Sequence, residues 1–145
     1  MYLTNSIEAI GVVEKLIRRA GVMVAHDDDA TFEMWRLLAH AAAVIAGTTT
    51  RTPHAGKRPF GRALSVVGMK STAVNRLLTA RDTALPDQIR RVAYLLARDS
   101  EAVPTNLMEL RDLAAPDAKI ADAARRSIAR AYYAAEDKKD REKAK

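Results

Sequence analysis

Histidines and aspartates near residue 26 are the side chains that first suggest chemistry. His26 precedes three aspartates at residues 27–29, a composition found around divalent cations. Adjacent side chains diverge, however, and acidic residues before a helix serve as caps that also favour the helix dipole. We therefore predict a cap at 27–29 and no metal site. His40 lies in an apolar helical pattern, typical of a core or interface, whereas His54 lies in a basic loop, where a phosphate contact is the alternative to a plain surface position.

The stretch AGKRPFG, residues 55–61, has only a superficial likeness to a phosphate-binding loop. That motif needs a glycine five residues before Gly56, where Arg51 stands, and a Ser or Thr after the lysine, where Arg58 stands. The stretch also follows a helical pattern rather than a strand. No serine has a nearby base, no pair of carboxylates is isolated, and the chain has no cysteine. We expect a protein that is not an enzyme and that uses no cofactor.

Positive charge is concentrated in the middle third of the chain. Residues 47–98 hold ten basic and two acidic side chains, a net of +8, whereas residues 1–46 have a net of −2 and residues 99–145 a net of zero. Such asymmetry is typical of a protein with a polyphosphate partner. The predicted nucleic-acid-binding residues are Arg51, Lys57, Arg58, Arg62, Lys70, Arg76, Arg90, Arg91 and Arg98.

Arginine dominates this basic set, and few aromatic residues accompany it. A guanidinium group can pair with phosphate through two parallel hydrogen bonds. Tyr94 is the only stacking candidate, because Phe60 has the spacing of a core residue. The composition therefore favours binding along a nucleic-acid backbone over reading of bases. The alternative is a solvated face with scattered charges.

Three arginines outside the middle third, Arg125, Arg126 and Arg130, fit that alternative better. Carboxylates, Asp122 among them, lie within a few residues of this group. Because neighbouring opposite charges on a helix compensate one another, we assign these arginines to the solvated surface.

The elements that must position the basic residues have a helical period throughout. Strand-type alternation is almost absent, prolines mostly precede the helical patterns and glycines mostly follow them. We predict an all-α fold, a compact bundle of about seven short helices, two N-terminal and five C-terminal. The predicted helices cover residues 7–20, 30–46, 59–68, 72–80, 86–98, 104–113 and 116–137. The arginines of the three successive short helices fall off the apolar faces and should reach solvent; they are Arg62, Arg76, Arg90, Arg91 and Arg98.

A chain of 145 residues suits one domain. We expect a single helical domain over 1–137, in which a basic loop at 47–58 joins an N-terminal helix pair, 1–46, to a C-terminal helical part, 59–137. The loop lacks large apolar residues and is expected to be mobile when nothing is bound. Residues 138–145 alternate in charge without an apolar anchor, which predicts a disordered tail.

Membrane association is not expected. The longest weakly polar stretch, 37–47, is about half the length that spans a bilayer. The N-terminus lacks a basic stretch followed by an apolar run, so no signal peptide is predicted. Together with the lack of cysteine, these features predict a soluble, cytoplasmic protein.

A set of short marks occurs in a fixed order between residues 60 and 98. The marks are Gly61-Arg62-Ala63-Leu64, Gly68, Arg76-Leu77-Leu78, Arg90-Arg91 and Leu95-Leu96. In this order and spacing they resemble the CasB-type small subunit of the CRISPR Cascade effector complex, of type I-E or the related type IV. The helix that ends at Ala46-Gly47 and the polar loop after it also suit that family.

The resemblance implies an all-helical, non-catalytic subunit along the belly of a crRNA-guided surveillance complex. Family members help to hold crRNA and target and line a path for displaced single-stranded DNA. The implied partners are crRNA and single-stranded DNA, the backbone and large subunits of the effector, and neighbouring copies of the subunit itself. By position, the resemblance makes Arg62, Arg76, Arg90 and Arg91 candidates for nucleic-acid contact, with Lys57 and Arg58 as looser ones.

Two other functions stay open at this point. The first is a helical adaptor whose basic face meets an acidic protein. The second is a helix-turn-helix DNA-binding regulator that uses the helices predicted at 72–80 and 86–98. The connection between these helices reads as longer than the usual tight turn, which favours the small-subunit interpretation.

Overall fold

Six helices form the part of the chain that the structure describes. A computed structural model describes Glu14, Arg18, Gly21, Val24 and residues 28–47, 53–99 and 101–145. Its helices are α1 (Asp29–Ala46), α2 (Phe60–Val66), α3 (Ser71–Thr79), α4 (Ala84–Ala97), α5 (Leu107–Leu113) and α6 (Ala118–Lys143). The all-α prediction is confirmed, with six helices in the described ranges rather than about seven. The helix predicted at 7–20 lies outside the described residues, apart from Glu14 and Arg18.

The core lies between two closely packed pairs of helices. The short α2 packs along α6, α1 packs along α4, and α5 contacts both α6 and α1. The smaller α3 contacts α4 and α6. Large apolar side chains of these helices are buried, among them Phe60, Leu77, Ile89 and Ile128, whereas Ile120 of α6 is exposed. Burial of such side chains against one another provides the main driving force for this arrangement.

Polar side chains cap several helices at their N-termini. The Asp28 carboxylate accepts a hydrogen bond from the backbone N–H of Thr31 at 3.0 Å. Hydrogen bonds from Thr31 lower the pKa of the Asp28 carboxyl below its usual value. The predicted cap is therefore confirmed at Asp28. Asn106 and Asp117 accept in the same way at the starts of α5 and α6.

The N-terminus of α2 takes its cap from another helix. Pro59 precedes α2 and offers no side-chain hydrogen bond. Instead, the backbone N–H of Phe60 donates to Oε2 of Glu109 on α5 at 2.7 Å. The other carboxylate oxygen, Oε1, accepts from the Ser127 hydroxyl on α6 at 2.6 Å. One carboxylate thus connects α2, α5 and α6.

Gly61 allows α2 and α6 to approach backbone to backbone. A Cβ atom at Gly61 would lie 2.1 Å from the carbonyl oxygen of Ile128 and 2.7 Å from the backbone nitrogen of Tyr132. Both atoms belong to the interior of a long helix and cannot move aside cheaply. No residue except glycine fits this position without separating the two helices.

The C-terminal helix is longer than predicted. It ends at Lys143 rather than near residue 137, so the expectation of a disordered tail is wrong for residues 138–143. Hydrogen bonds replace the missing apolar anchors: Lys139 Nζ donates to the Ser65 carbonyl, and the Ser65 hydroxyl donates to Glu136 at 3.1 Å. These contacts tie the last turns of α6 to α2.

The basic loop is fastened to the segment before α5. His54 forms an isolated parallel bridge with Thr105, whose backbone N–H donates to the Pro53 carbonyl at 3.1 Å. Nδ1 of His54 accepts the backbone N–H of Leu107 at 3.1 Å, which caps α5. Residues 53–58 of the loop expected to be mobile thus hold several backbone hydrogen bonds, among them Ala55 N–H to the Thr105 carbonyl and Asn106 N–H to the Arg58 carbonyl. Residues 48–52 lie outside the described part.

Replacement of Gly61 by alanine should destabilise the protein strongly. The new methyl group would overlap two backbone atoms of α6, so α2 must shift, at a cost of about 3 kcal/mol or more. Urea unfolding followed by circular dichroism measures this cost. Gly56→Ala is the matched control, because its Cβ would meet only the His54 ring at 3.9 Å. Equal unfolding midpoints for Gly61→Ala and the wild type would refute the close approach.

Candidate nucleic-acid interface

Eight of the nine predicted nucleic-acid-binding residues lie in the described part of the chain, and Arg51 lies outside it. Seven of the eight have exposed side chains and form no ion pair with any described residue. These seven are Lys57, Arg58, Arg62, Lys70, Arg76, Arg91 and Arg98. Cations without an internal partner are available to an external anion. The eighth, Arg90, is only partly exposed and forms an ion pair with Asp87.

The exposed arginines are positioned by the apolar faces of their own helices. In α3, Val74 and Leu77 are buried, and Arg76 consequently points away from the core. In α2, Ala63 and Leu64 are buried, and Arg62 points away from the core. The core therefore fixes the outward direction of these guanidinium groups.

The outward face of α4 combines guanidinium groups with an aromatic ring. Arg91, Tyr94 and Arg98 follow one another at steps of three and four residues and are all exposed, Tyr94 by 38%. Side chains at this spacing are neighbours on one helix face. This row can offer two phosphate contacts with a stacking surface between them, which is the arrangement that a nucleic-acid strand requires.

Arg62 lies in a groove between α2 and α6. The groove has a volume of about 530 Å³, with Ala131 and Ala135 in its lining and Lys138 and Lys139 beside Arg62. The two lysines were missed at the level of sequence because their segment was expected to be disordered. No apolar residue stands between 136 and 143, so the sequence holds no periodic signal that could have identified them.

Lys70 lines a second cleft, of about 610 Å³, in which three lysines face three carboxylates. Tyr132 and Tyr133 lie in its wall with their rings edge to face, 5.1 Å apart. Burial, with the Glu136 carboxylate nearby, raises the pKa of the Tyr132 hydroxyl, which donates to the Met69 carbonyl at 2.6 Å. The balanced charge makes this cleft a poorer anion site than the groove at Arg62.

Arg90 has partners within the protein. Its guanidinium is 3.0 Å from the Asp87 carboxylate, and its side chain is only 38% exposed. It lines a cleft of about 710 Å³ between α1, α4 and α6, together with Arg36, Arg81 and Arg125. Arg62, Lys70 and Arg90 thus line three different clefts, and the structure does not gather the nine predicted residues into one site.

His40 is buried in α1, in agreement with the predicted core or interface position. Its Nε2 atom has no hydrogen-bond partner among the described residues. Burial lowers the pKa of His40, and the positive charges of Arg90 and Arg36 lower it further. Arg90 therefore contributes to the electrostatics of the core, a role that its neighbour Arg91 does not have.

The described residues offer neither a metal site nor a membrane-spanning helix. They contain no group of three or more His, Asp or Glu side chains that could hold a metal ion. None of their helices combines the length and the apolar character that crossing a membrane requires. In comparisons with known proteins, no family model, no curated protein and no solved structure matches the chain.

Acid should destabilise the protein through His40. The pKa of a histidine in an unfolded chain is about 6.5, and that of His40 is lower in the folded state. Below about pH 6.5 the unfolded state therefore binds a proton that the folded state does not bind, so the free energy of unfolding decreases as the pH is lowered. His40→Leu should flatten the dependence of Tm on pH between about 7.5 and 5.5. A wild-type slope in this variant would contradict the assignment.

Proposed function

We propose that the protein is a non-catalytic small subunit of a crRNA-guided, Cascade-like CRISPR surveillance complex. In this role a basic face stabilises the crRNA–target arrangement and the displaced single-stranded DNA. The observation that carries the proposal is the set of seven exposed basic residues without an ion-pair partner in the described chain. The resemblance of residues 60–98 to the CasB-type subunit supplies the context.

The mechanism is electrostatic. Base pairing between guide and target supplies sequence specificity, while the protein holds the backbone. The α4 row, Arg91, Tyr94 and Arg98, binds two phosphates and stacks on a base, and the exposed Arg62 and Arg76 offer further phosphate contacts on α2 and α3. Arg90 serves mainly to stabilise the fold around His40. A displaced strand held in this way is hindered from pairing again with the target strand.

The proposal also specifies a setting. The subunit works in the cytoplasm beside the backbone and large subunits of the effector and next to further copies of itself. These partners complete a path for nucleic acid that a single copy presents only in part.

A helix-turn-helix DNA regulator is the second candidate, because one observation favours it. α3 ends at Thr79 and α4 begins at Ala84, two residues earlier than predicted, so only four residues connect them. Pro86 is tolerated in the first turn of α4 because its missing N–H has no partner there. A connection of three to four residues is usual in this motif, so the earlier argument from a long connection is wrong.

Nucleic-acid binding is measured by fluorescence anisotropy with single-stranded DNA, RNA and duplex DNA of mixed sequence. We expect single strands to bind best, with an affinity that falls steeply between about 50 and 200 mM salt. The triple variant Arg62→Glu/Arg91→Glu/Arg98→Glu should keep its fold and lose binding. Each phosphate contact removed should lower the salt slope by about 0.7.

Arg90→Gln is the matched control for Arg91→Gln, because the two arginines are adjacent in α4. We expect Arg91→Gln to weaken binding and Arg90→Gln to lower Tm instead. Preference for a duplex with a defined site would favour the regulator. Absence of binding at about 50 mM salt would contradict the proposal and favour an adaptor for an acidic protein.

A further inference from the structure

The solvent face of α6 carries a straight row of cations that is separate from the predicted basic set. Successive residues of a helix are rotated by about 100°, which places five exposed basic side chains within a sector of about 120°. We call these residues, Lys119, Arg126, Arg130, Lys138 and Arg141, the α6 basic face. Asp137 is the only acidic residue of α6 in the same sector. The row spans 23 residues, from Lys119 to Arg141, or about 33 Å along the helix axis.

The carboxylates of α6 do not neutralise this face. Asp117 caps the helix through the backbone N–H of Lys119, and Asp122 pairs with Arg125 at 2.6 Å. Glu136 accepts from Ser65 and lies 3.5 Å from Lys139. None of the five basic side chains forms an ion pair with a described residue. A segment whose net charge is zero in sequence thus separates its charges in space.

The arginines near Asp122 are predicted to lie on a solvated surface beside compensating carboxylates. Arg126 and Arg130 are exposed, in agreement with that prediction, but neither forms an ion pair with a described residue. Arg125 pairs with Asp122, and its side chain is only 15% exposed, so it is largely covered.

We propose that the α6 basic face is a second nucleic-acid surface and that it binds the sugar–phosphate backbone of a double helix. The choice of nucleic acid rests on the proposed function, but the residues are distinct from those on α2 to α4. The proposal adds to the single-strand path a place where the guide–target duplex is held.

The composition of the face favours phosphate over an acidic protein. The small side chains of Ala123, Ser127 and Ala134 lie between the cations. The exposed large side chains, Ile120 and Tyr133, stand at the two edges of the sector. Protein interfaces need buried aromatic or aliphatic anchors near their centre, whereas a phosphate backbone needs only repeated cations.

The shape of the face favours a duplex over a single strand. The row runs along one uninterrupted helix, Ala118–Lys143, and a turn of duplex is about as long as the row, roughly 34–36 Å. A stiff duplex can meet such a row without being bent or ordered. A flexible strand would have to lose conformational freedom on a convex surface that does not enclose it.

The test compares binding of an RNA–DNA hybrid duplex and of single-stranded DNA by anisotropy. The variant Lys119→Gln/Arg126→Gln/Arg130→Gln should weaken hybrid binding at least about tenfold, lower its salt slope by up to about 0.9 per lost contact, and leave single-strand binding nearly unchanged. Its Tm should equal that of the wild type, because no described residue pairs with these side chains. Arg141→Gln and Lys143→Gln form a matched pair, since Lys143 is exposed in the same helix turn but lies outside the sector.

The outcomes separate this inference from the proposed function. Wild-type hybrid binding by the α6 variant, with weakened single-strand binding by Arg62→Glu/Arg91→Glu/Arg98→Glu, would overturn the α6 surface alone. A loss confined to single-stranded DNA would overturn its assignment to a duplex. An equal effect of Arg141→Gln and Lys143→Gln would mean that general charge, and not this face, attracts the duplex. A wild-type protein that binds neither probe would overturn both proposals.

Discussion

The contact between the backbones of α2 and α6 at Gly61 determines where the remaining parts of the described structure lie. A seven-residue helix has little stability alone, so α2 depends on the surface that receives it. Glu109 fixes the start of α2, and the contacts of Ser65 with Glu136 and Lys139 fix its other end and the last turns of α6. These contacts position both Arg62 on α2 and the side chains of α6. The Arg62 groove and the α6 basic face therefore depend on one packing constraint.

Most of the helices could be predicted from sequence, because the information that defines them is local. The spacing of Val74 and Leu77, or of Ile89, Val92 and Leu96, identifies a buried face within two or three turns. Long-range polar contacts leave no such pattern. Ser65 meets Lys139 across 74 positions, and Leu107 meets His54 across 53. The extent of α6 and the backbone contacts of residues 53–58 depend on these pairs, so the predicted end of α6 near residue 137 was wrong.

The same reason limits prediction of the candidate interface. Sequence identifies which arginines leave the apolar face of a helix, and Arg62, Arg76 and Arg91 are indeed exposed. It does not distinguish Arg90 from Arg91, because a rotation of about 100° decides which one meets α1 and Asp87. Net charge over a segment hides a similar separation in α6, where five of the eight basic residues but only one of the five acidic residues lie in one sector of the helix.

The burial of each cation determines whether its charge affects the fold. An exposed charge contributes between about zero and 1 kcal/mol to folding, so cations on the outer faces of α4 and α6 can change with little effect on stability. Arg36 and Arg90 lie instead beside the buried His40, whose pKa they help to lower, and their loss changes the interior. The exposed and the buried members of this basic population therefore differ in what their loss changes, so the exposed cations can be replaced while the fold is retained.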